Sequence, residues 1–514
     1  ELLMSIAGNT PVLVAASQVT DRLGDTWERL GPSVLAAKAV IGVLETAGTE
    51  CVAEHVDHVM VMRTFVDSVP DRIKPLLAPF GFSDKFARSV ANRAGLEAAK
   101  AIYATAGGQS PQQYTARACS MIARGEAQAV VLCGAEAIAT MRAHQRSGET
   151  LDWAEQVEGA QSDDGMGLED QFVPALAAHK LIAPIDIYPL MEHAKRQRRG
   201  MSRDRYLRYL GEVMTPLAKA ARSNPFTMFD SIPADDDIAI ESAGNRKVGD
   251  PHLKAMVAKD GVNQAAAILI MSFDLAKALR LDDRAVYLRG FAEAAEQPLL
   301  DRCDLSLSPA LRWTYDSALR ASGLSSDDID AFDLYSCFPV AVIEAMEALK
   351  LDIHDGRPIS LTGGLPFFGG PGNNYSMHAI ASAVLAIQAG SFKTVLVGAL
   401  GGHLSKHAVG VYGALPGVVD PLHGQKTFQE TGNKAALASE FGGVATVETF
   451  TVKMIPEGRW LALLAITDTG ERVIAAALLE AGELFDLFVE GEPMGTRVLI
   501  EPSGENTHRV VGLA

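Results

Sequence analysis

The sequence predicts an α/β protein made of two similar halves, followed by a small β-rich domain. Short β-branched runs alternate with alanine-rich helical stretches along most of the 514 residues. The segment that begins at Gly107 is similar to the segment that begins at Gly369. After Tyr412 the alternation gives way to period-2 patterns separated by glycine turns. At roughly 150 residues per domain, the length accommodates about three domains.

The two similar segments define the two halves. Residues 11–15 have the pattern of a strand, and residues 33–47 that of a helix with its apolar side chains at core spacing. Aligning Gly125 with Gly390 places the copies 265 residues apart. Each copy then has a Gly-Gly turn, a polar loop, an amphipathic helix that ends at glycine, and a buried strand, at residues 129–132 or 394–397. Short alanine-rich helices can match by chance, but here the turn, the helix end and the strand agree as well. We therefore predict equivalent α/β halves at residues 1–272 and 273–415.

Two further regions depart from this alternation. Residues 142–260 are predicted to be an inserted domain of helices and loops, and they contain a basic run with Lys195, Arg196, Arg198 and Arg199. That run has two interpretations: a solvated helix face, or a site for the phosphates of a nucleotide-bearing cofactor. Residues 416–434 have the composition of a linker, and residues 435–514 are predicted to form a mostly β domain, a small OB-like barrel.

The charge and cysteine content exclude several classes of protein. Lys and Arg number 46 against 63 Asp and Glu, a formal net charge of −17, so nucleic-acid binding is not expected. No apolar run is long enough to cross a membrane. The five cysteines are odd in number and widely spread, which argues against a disulfide framework or a zinc module. We expect a cytoplasmic protein with no metal ion.

Four motifs, in this order, resemble the thiolase family, and specifically its sterol-carrier-protein-type branch, over about residues 9–413. They are RGEA with VVLCGA (124–135), DGVNQAAA (260–267), DAFDLYSCF (330–338), and GGL with GGP (363–371). The run GGHLSKHA (401–408) and the extra C-terminal domain are similar to the thiolase-like proteins of type 1, known chiefly from mycobacteria. The resemblance implies a five-layer α-β-α-β-α fold with a loop domain over the active site. It also implies coenzyme A (CoA) or an acyl-CoA thioester as ligand, and a role in lipid metabolism.

The residues that carry thiolase chemistry are missing from this sequence. A thiolase needs a cysteine nucleophile at a helix N-terminus, and the family's spacing places that position at Gln109. Gly370 stands where the family has the histidine of its Gly-His-Pro motif, and the later Cys-x-Gly motif is absent from residues 398–401. In the His-Asp-Cys-Phe loop of the sterol-carrier branch, Tyr335 replaces the histidine and Cys337 remains. Ordinary thiolase activity is therefore predicted to be absent or weak.

Three functions stay open at this point, and whether the protein is an enzyme stays open with them. The first is a CoA or acyl-CoA binding protein related to acetyl-CoA acetyltransferases. The second is a non-covalent acyl-CoA lyase, of aldolase or decarboxylase type, that uses Tyr335 and Cys337; Tyr335 can equally be a packing residue. The third is an active acetyl-CoA C-acyltransferase whose nucleophile lies elsewhere in the sequence.

The resemblance also leads to expectations about ligand contacts and assembly. Arg196, Arg198 and Arg199 are the predicted contacts of the CoA phosphates, while Asn374 and His403 are candidates at the mouth of the active site or in turns and packing. Thiolases pair through the strand before the nucleophile. Residues 101–108 make a poor pairing strand here, because they include two glycines and three alanines. We expect a monomer rather than the family homodimer.

Overall fold

The structure, a computed structural model, describes residues 6–48, 52–167, 172–417 and 434–514. Nearly all of the predicted linker, residues 416–434, lies outside the described residues. The extent assigned to each domain from the sequence stays a prediction.

The first predicted half is built on a six-stranded sheet. The strands up to the end of this half are β1 (Pro11–Thr20), β2 (Val56–Val61), β3 (Lys100–Tyr103), β4 (Ala129–Ala137), β5 (Gln161–Asp163), β6 (Lys247–Gly249), β7 (His252–Leu253) and β8 (Asn263–Ser272). The sheet order is β1-β8-β4-β2-β3-β5, and β6 and β7 form a separate pair. Strands β4, β2, β3 and β5 are parallel, whereas β8 is antiparallel to both β4 and β1. Every residue of β4 is buried, because helices cover both faces of the sheet.

The second half contains a four-stranded sheet, and the C-terminal region a barrel. The sheet strands are β9 (Tyr287–Ala295), β10 (Ala331–Asp333), β11 (Thr394–Gly401) and β12 (Lys406–Gly413), in the order β10-β11-β12-β9. The barrel strands are β13 (Gly443–Ile455), β14 (Gly458–Thr467), β15 (Arg472–Leu479), β16 (Arg497–Gly504) and β17 (Thr507–Leu513). They close in the order β13-β14-β15-β17-β16, so the small C-terminal barrel is confirmed.

The helices complete a five-layer arrangement. They are α1 (Pro32–Ala47), α2 (Lys74–Leu77), α3 (Phe86–Arg93), α4 (Ser110–Ala123), α5 (Ile138–Ser147), α6 (Pro174–Ala178), α7 (Pro184–Arg198), α8 (Arg203–Ser223), α9 (Phe273–Ala278), α10 (Pro309–Ser322), α11 (Pro339–Leu349), α12 (Gly364–Phe367), α13 (Tyr375–Gln388) and α14 (Glu483–Phe485). Helices α1 and α3 pack on the outer face of the first sheet, and α4 and α13 lie between the two sheets. Helix α10 packs on the outer face of the second sheet and against α11. The predicted α-β-α-β-α fold is confirmed.

The internal duplication is visible in the two central helices. Helices α4 and α13 are each 14 residues long. Each is followed by a glycine in the left-handed region, Gly125 and Gly390, both with φ of +72°. The chain then enters β4 or β11, which are equivalent positions in the two sheets. Only glycine takes this φ without strain. Each helix therefore ends at a glycine, and the two glycines stand at the same distance from the strand that follows.

The barrel is fastened to the helices of the insertion. His193 of α7 stacks on Phe450 of β13, with 4.1 Å between ring centroids. The Thr449 hydroxyl donates to the Leu190 carbonyl at 2.5 Å, and Arg203 of α8 donates to the Phe488 carbonyl at 2.8 Å. These contacts join buried backbone groups on both sides of the boundary, so the barrel is docked against the body.

Candidate functional site

A cavity of about 1310 Å³ lies between the two halves and the insertion. Drug-sized ligands occupy pockets of about 300–1000 Å³, so this one has room for a longer molecule. Gly107, Gly108, Gly401 and Gly402 form part of its wall. The first three of these glycines are packed against polar side chains: a Cβ on Gly108 would lie 2.1 Å from the Tyr335 hydroxyl oxygen. The wall therefore presents backbone to a ligand at a point where no larger residue fits.

Gln109 stands at the N-terminus of α4, where the resemblance places the thiolase nucleophile. Its side chain is buried behind the glycine wall. The amide nitrogen Nε2 donates to the Ala106 carbonyl at 3.3 Å, and the oxygen Oε1 has no hydrogen-bond partner among the described residues. An amide has no ionisable proton near neutral pH, so the Gln109 side chain itself cannot serve as a nucleophile.

Gly370 lines the cavity in the loop between α12 and α13, where the resemblance implies a histidine. Its amide donates to the Lys259 carbonyl at 2.8 Å. A Cβ built there would lie 3.1 Å from that same carbonyl oxygen and 3.5 Å from Leu365 Cδ2, so the backbone and its neighbours leave little room for a side chain. No imidazole stands at this point of the wall.

Tyr335 and Cys337 follow β10 directly and both line the cavity. Burial raises the pKa of the Cys337 thiol to about 12, and Tyr188 is its hydrogen-bond partner. Burial raises the pKa of Tyr335 well above its usual value near 10. Among the described residues no partner hydrogen-bonds the Tyr335 hydroxyl, which lies beside Gly108. At neutral pH the site therefore presents a protonated thiol and a protonated phenol.

The structure brings His403 to this cavity but not Asn374. Burial, and to a smaller extent Arg302, lowers the pKa of His403 to about 4, so its imidazole is neutral at neutral pH. Asn374 does not line the cavity. Its amide nitrogen donates to the Gly134 carbonyl of β4 at 2.8 Å, a contact within the core.

The arginines predicted as phosphate contacts lie away from the cavity, at the end of α7. Arg196 pairs with Glu492 at 2.5 Å, Arg198 with Asp304 at 3.0 Å, and Arg199 with Glu347 at 3.0 Å. The prediction that they bind phosphates gains no support from this placement. The other interpretation, a solvated helix face, is wrong for Lys195 and Arg196, which are both buried.

Two cavity residues were missed by the sequence analysis. Glu136 is the last but one residue of β4, and burial raises its pKa to about 8, with smaller contributions from the Asp67 and Asp260 carboxylates. A glutamate within an otherwise apolar buried strand was the available signal. Arg72 is exposed at the cavity mouth and has no ion-pair partner among the described residues. Nothing in its local sequence separates it from other surface arginines.

The mouth of the cavity also carries exposed apolar side chains, and the described residues contain no metal site and no membrane-spanning helix. Phe172 and Ile182 line the mouth and are each 64% exposed. In the described ranges, no group of His, Cys, Asp and Glu side chains could hold a metal ion. Within the same ranges, no helix is long and apolar enough to cross a membrane.

No family model and no curated protein matches the chain. Among solved structures, it is 33% identical to a monomeric SCP2-thiolase like protein type 1 from Mycobacterium smegmatis, over 99% of this chain and 100% of that one, with a TM-score of 0.82. It also resembles the Ltp2-ChsH2(DUF35) aldolase, at 19% identity over 79% of this chain and 98% of that one, with a TM-score of 0.57. The human mitochondrial 3-ketoacyl-CoA thiolase is 17% identical over 79% of this chain and 99% of that one, with a TM-score of 0.54. The last two likenesses show a shared fold. From the first, the chain belongs to the SCP2-thiolase-like proteins of type 1.

Proposed function

We propose that the protein binds an acyl-CoA thioester of lipid metabolism in this cavity without forming an acyl-enzyme. One observation carries the proposal: the helix N-terminus that faces the glycine wall holds Gln109. Covalent acyl transfer requires a thiolate there, in the field of the helix dipole. The cavity keeps the dimensions and the backbone-rich wall that a long thioester needs, but not the nucleophile.

The remaining cysteines do not supply a substitute. Of those in the described part of the chain, Cys337 lines the cavity, and its raised pKa keeps it a thiol at neutral pH. Cys119 lies inside α4, and burial raises its pKa to about 12. Cys133 is buried in β4, and Cys303 lies at the surface outside the cavity lining. An acylated cysteine is therefore not expected.

Calorimetric titration with a panel of CoA thioesters tests the binding. A Gly370→Leu variant should push side-chain atoms into the cavity and weaken binding at least tenfold, since Gly370 lines the wall and its Cβ position is already close to the Lys259 carbonyl. Gly244→Leu is the matched control, because a Cβ there has open space around it and the residue is outside the cavity lining. Equal affinities of the two variants would contradict the assignment of the cavity.

A second candidate, a non-covalent acyl-CoA lyase, is favoured by the unpartnered Tyr335 hydroxyl in the cavity. In a retro-aldol reaction, the β-hydroxyl loses its proton, the Cα–Cβ bond breaks, and the thioester enolate is reprotonated at Cα. A neutral phenol is suited to donating a hydrogen bond to that enolate. Mass spectrometry of β-hydroxyacyl-CoA incubated with wild type and Tyr335→Phe tests this. Cleavage by wild type that Tyr335→Phe abolishes supports the lyase, and intact ester with both proteins contradicts it.

We also propose that the chain is a monomer. The outer edge of β3, which precedes the Gln109 position, is covered within the chain by the parallel strand β5. An edge strand that is already paired cannot add a strand from a second copy. This internal pairing supports the monomer expected from the sequence.

A further inference from the structure

Glu136 is a buried carboxyl group that opens onto the cavity. It is 5% exposed and lies next to the last residue of β4, opposite Gln264 of β8. Among the described residues, the hydrogen bond to its carboxyl comes from the Phe65 amide, at 2.7 Å to Oε1. A Cβ on Gly372 would lie 2.3 Å from that oxygen, and Gly372 has a φ of +56°. The loop that carries Gly370 thus passes the carboxyl at a distance that only glycine permits.

Burial, together with the charges around it, keeps the Glu136 carboxyl protonated at neutral pH. Burial is the largest cause of its raised pKa of about 8, and the Asp67 and Asp260 carboxylates add to it. The cations beside those two aspartates are already engaged: Lys74 pairs with Asp67 at 3.1 Å, and Arg142 with Asp260 at 2.8 Å. No cation in the described ranges pairs with Glu136. Below pH 8 the group is therefore a neutral acid, with one O–H to donate.

Two other polar groups of the cavity wall have the same character, beside charged side chains such as Arg72 and Asp260. Tyr335 is a neutral phenol and His403 a neutral imidazole at pH 7, so both can donate a hydrogen bond without carrying charge. Together with Glu136 they make an uncharged set of donors in a mostly apolar cavity. Such a set matches an oxygen that only accepts hydrogen bonds, and a few placed polar groups of this kind orient a ligand in an apolar pocket.

We propose that Glu136 positions the ligand by donating a hydrogen bond from its carboxylic acid form to a carbonyl oxygen of the acyl group. The inference rests on the proposed binding of an acyl-CoA thioester. The carbonyl is either that of the thioester or a second one along the acyl chain. Ionised Glu136 has no proton to donate and repels a carbonyl oxygen, so binding weakens as pH rises through the range where the acid ionises.

The test compares three probes by calorimetry at pH 6.5 and pH 9.5: hexanoyl-CoA, 5-ketohexanoyl-CoA, whose second carbonyl does not acidify the chain, and S-hexyl-CoA, a thioether without a carbonyl. With a pKa of about 8, the acid form falls roughly thirtyfold between these pH values. We expect at least a tenfold loss of affinity for the carbonyl ligand and little change for the thioether. A loss shared by both thioesters identifies the thioester carbonyl, and a loss confined to the keto ester identifies the second carbonyl.

Glu136→Gln is the matched variant, because its amide donates a hydrogen bond at every pH. It should bind both thioesters with pH-independent affinity. This variant also controls for the titration of Lys259. Burial lowers the pKa of Lys259 to about 8, so its amino group titrates in the same pH range in wild type and in the variant. If wild type binds the thioesters and the thioether with the same pH dependence, Glu136 does not have this role, and the proposed function stays intact. No binding of any probe at pH 6.5 overturns both.

Discussion

Replacing Arg472 with Met should loosen the C-terminal barrel from the body. Arg472 begins β15, and its side chain is 1% exposed. It forms a bidentate pair with Glu448, at 2.7 and 2.6 Å, and donates to the Leu300 carbonyl of the body at 2.6 Å. The substitution leaves a carboxylate and a carbonyl without their donor at the boundary.

The expected cost follows from that burial. Removing one partner of a buried ion pair costs about 3–5 kcal/mol. Glu448 keeps 18% of its side-chain surface exposed and regains some hydration, so we expect about 3 kcal/mol. A Glu448→Leu change combined with Arg472→Met should cost less than Arg472→Met alone, because the double variant leaves no unpaired charge.

Urea denaturation followed by tryptophan fluorescence measures this change. Trp460 reports on the same boundary, since its indole nitrogen donates to the His179 carbonyl at 3.0 Å. Arg497→Met is the control: Arg497 makes an equally bidentate pair with Asp468, but their side chains are 49% and 71% exposed. Because solvent screens this exposed pair, its loss should change the stability little. If Arg472→Met destabilises the protein no more than Arg497→Met, the account of docking is refuted.

Three further predictions concern chemistry, pH and assembly. Gln109→Cys alone should not restore cleavage of acetoacetyl-CoA by free CoA, because Gly370 supplies no imidazole; a rate of about 1 per second or faster would contradict this. Burial lowers the pKa of the His407 imidazole to about 4, below its ordinary value of about 6.5. The neutral imidazole therefore contributes fully to stability above its ordinary pKa, and this contribution is lost as pH falls from about 6.5 toward about 4. From pH 7.5 to pH 5.5, wild type should lose about 1.4 kcal/mol of unfolding free energy relative to His407→Gln, and a constant difference would refute the argument. Sedimentation equilibrium should give a mass near 54.7 kDa, and a doubled mass at micromolar concentration would show that β5 does not block pairing.

The sequence was sufficient for the fold because local signals repeat at equivalent places. The glycines that end α4 and α13 force the same turn, and the buried strands that follow have the same apolar pattern. The barrel was predictable because alternation along β13 reflects one buried and one exposed face.

The site was predictable only where a family position could be counted along the chain. Gln109, Tyr335 and Cys337 were found that way. The ion-pair partners of charged residues could not be predicted from the sequence, because Arg196 meets Glu492 only when the barrel docks on the body. Likewise, the raised pKa of Glu136 comes chiefly from burial in the folded chain, with smaller contributions from Asp67 and Asp260, which folding brings to β4 from separate segments. Charge pairing over such separations is a tertiary property, which composition and periodicity do not encode.

The central claim is that the cavity holds an acyl-CoA thioester without a covalent acyl-enzyme. Mass spectrometry of the intact protein after incubation with acetoacetyl-CoA and hexanoyl-CoA, under native and then denaturing conditions, tests it most directly. The account predicts a native complex heavier by one intact ester, which denaturation reduces to the unmodified chain. A mass increase of one acyl group that survives denaturation would contradict it, and would show that a nucleophile operates in this cavity after all.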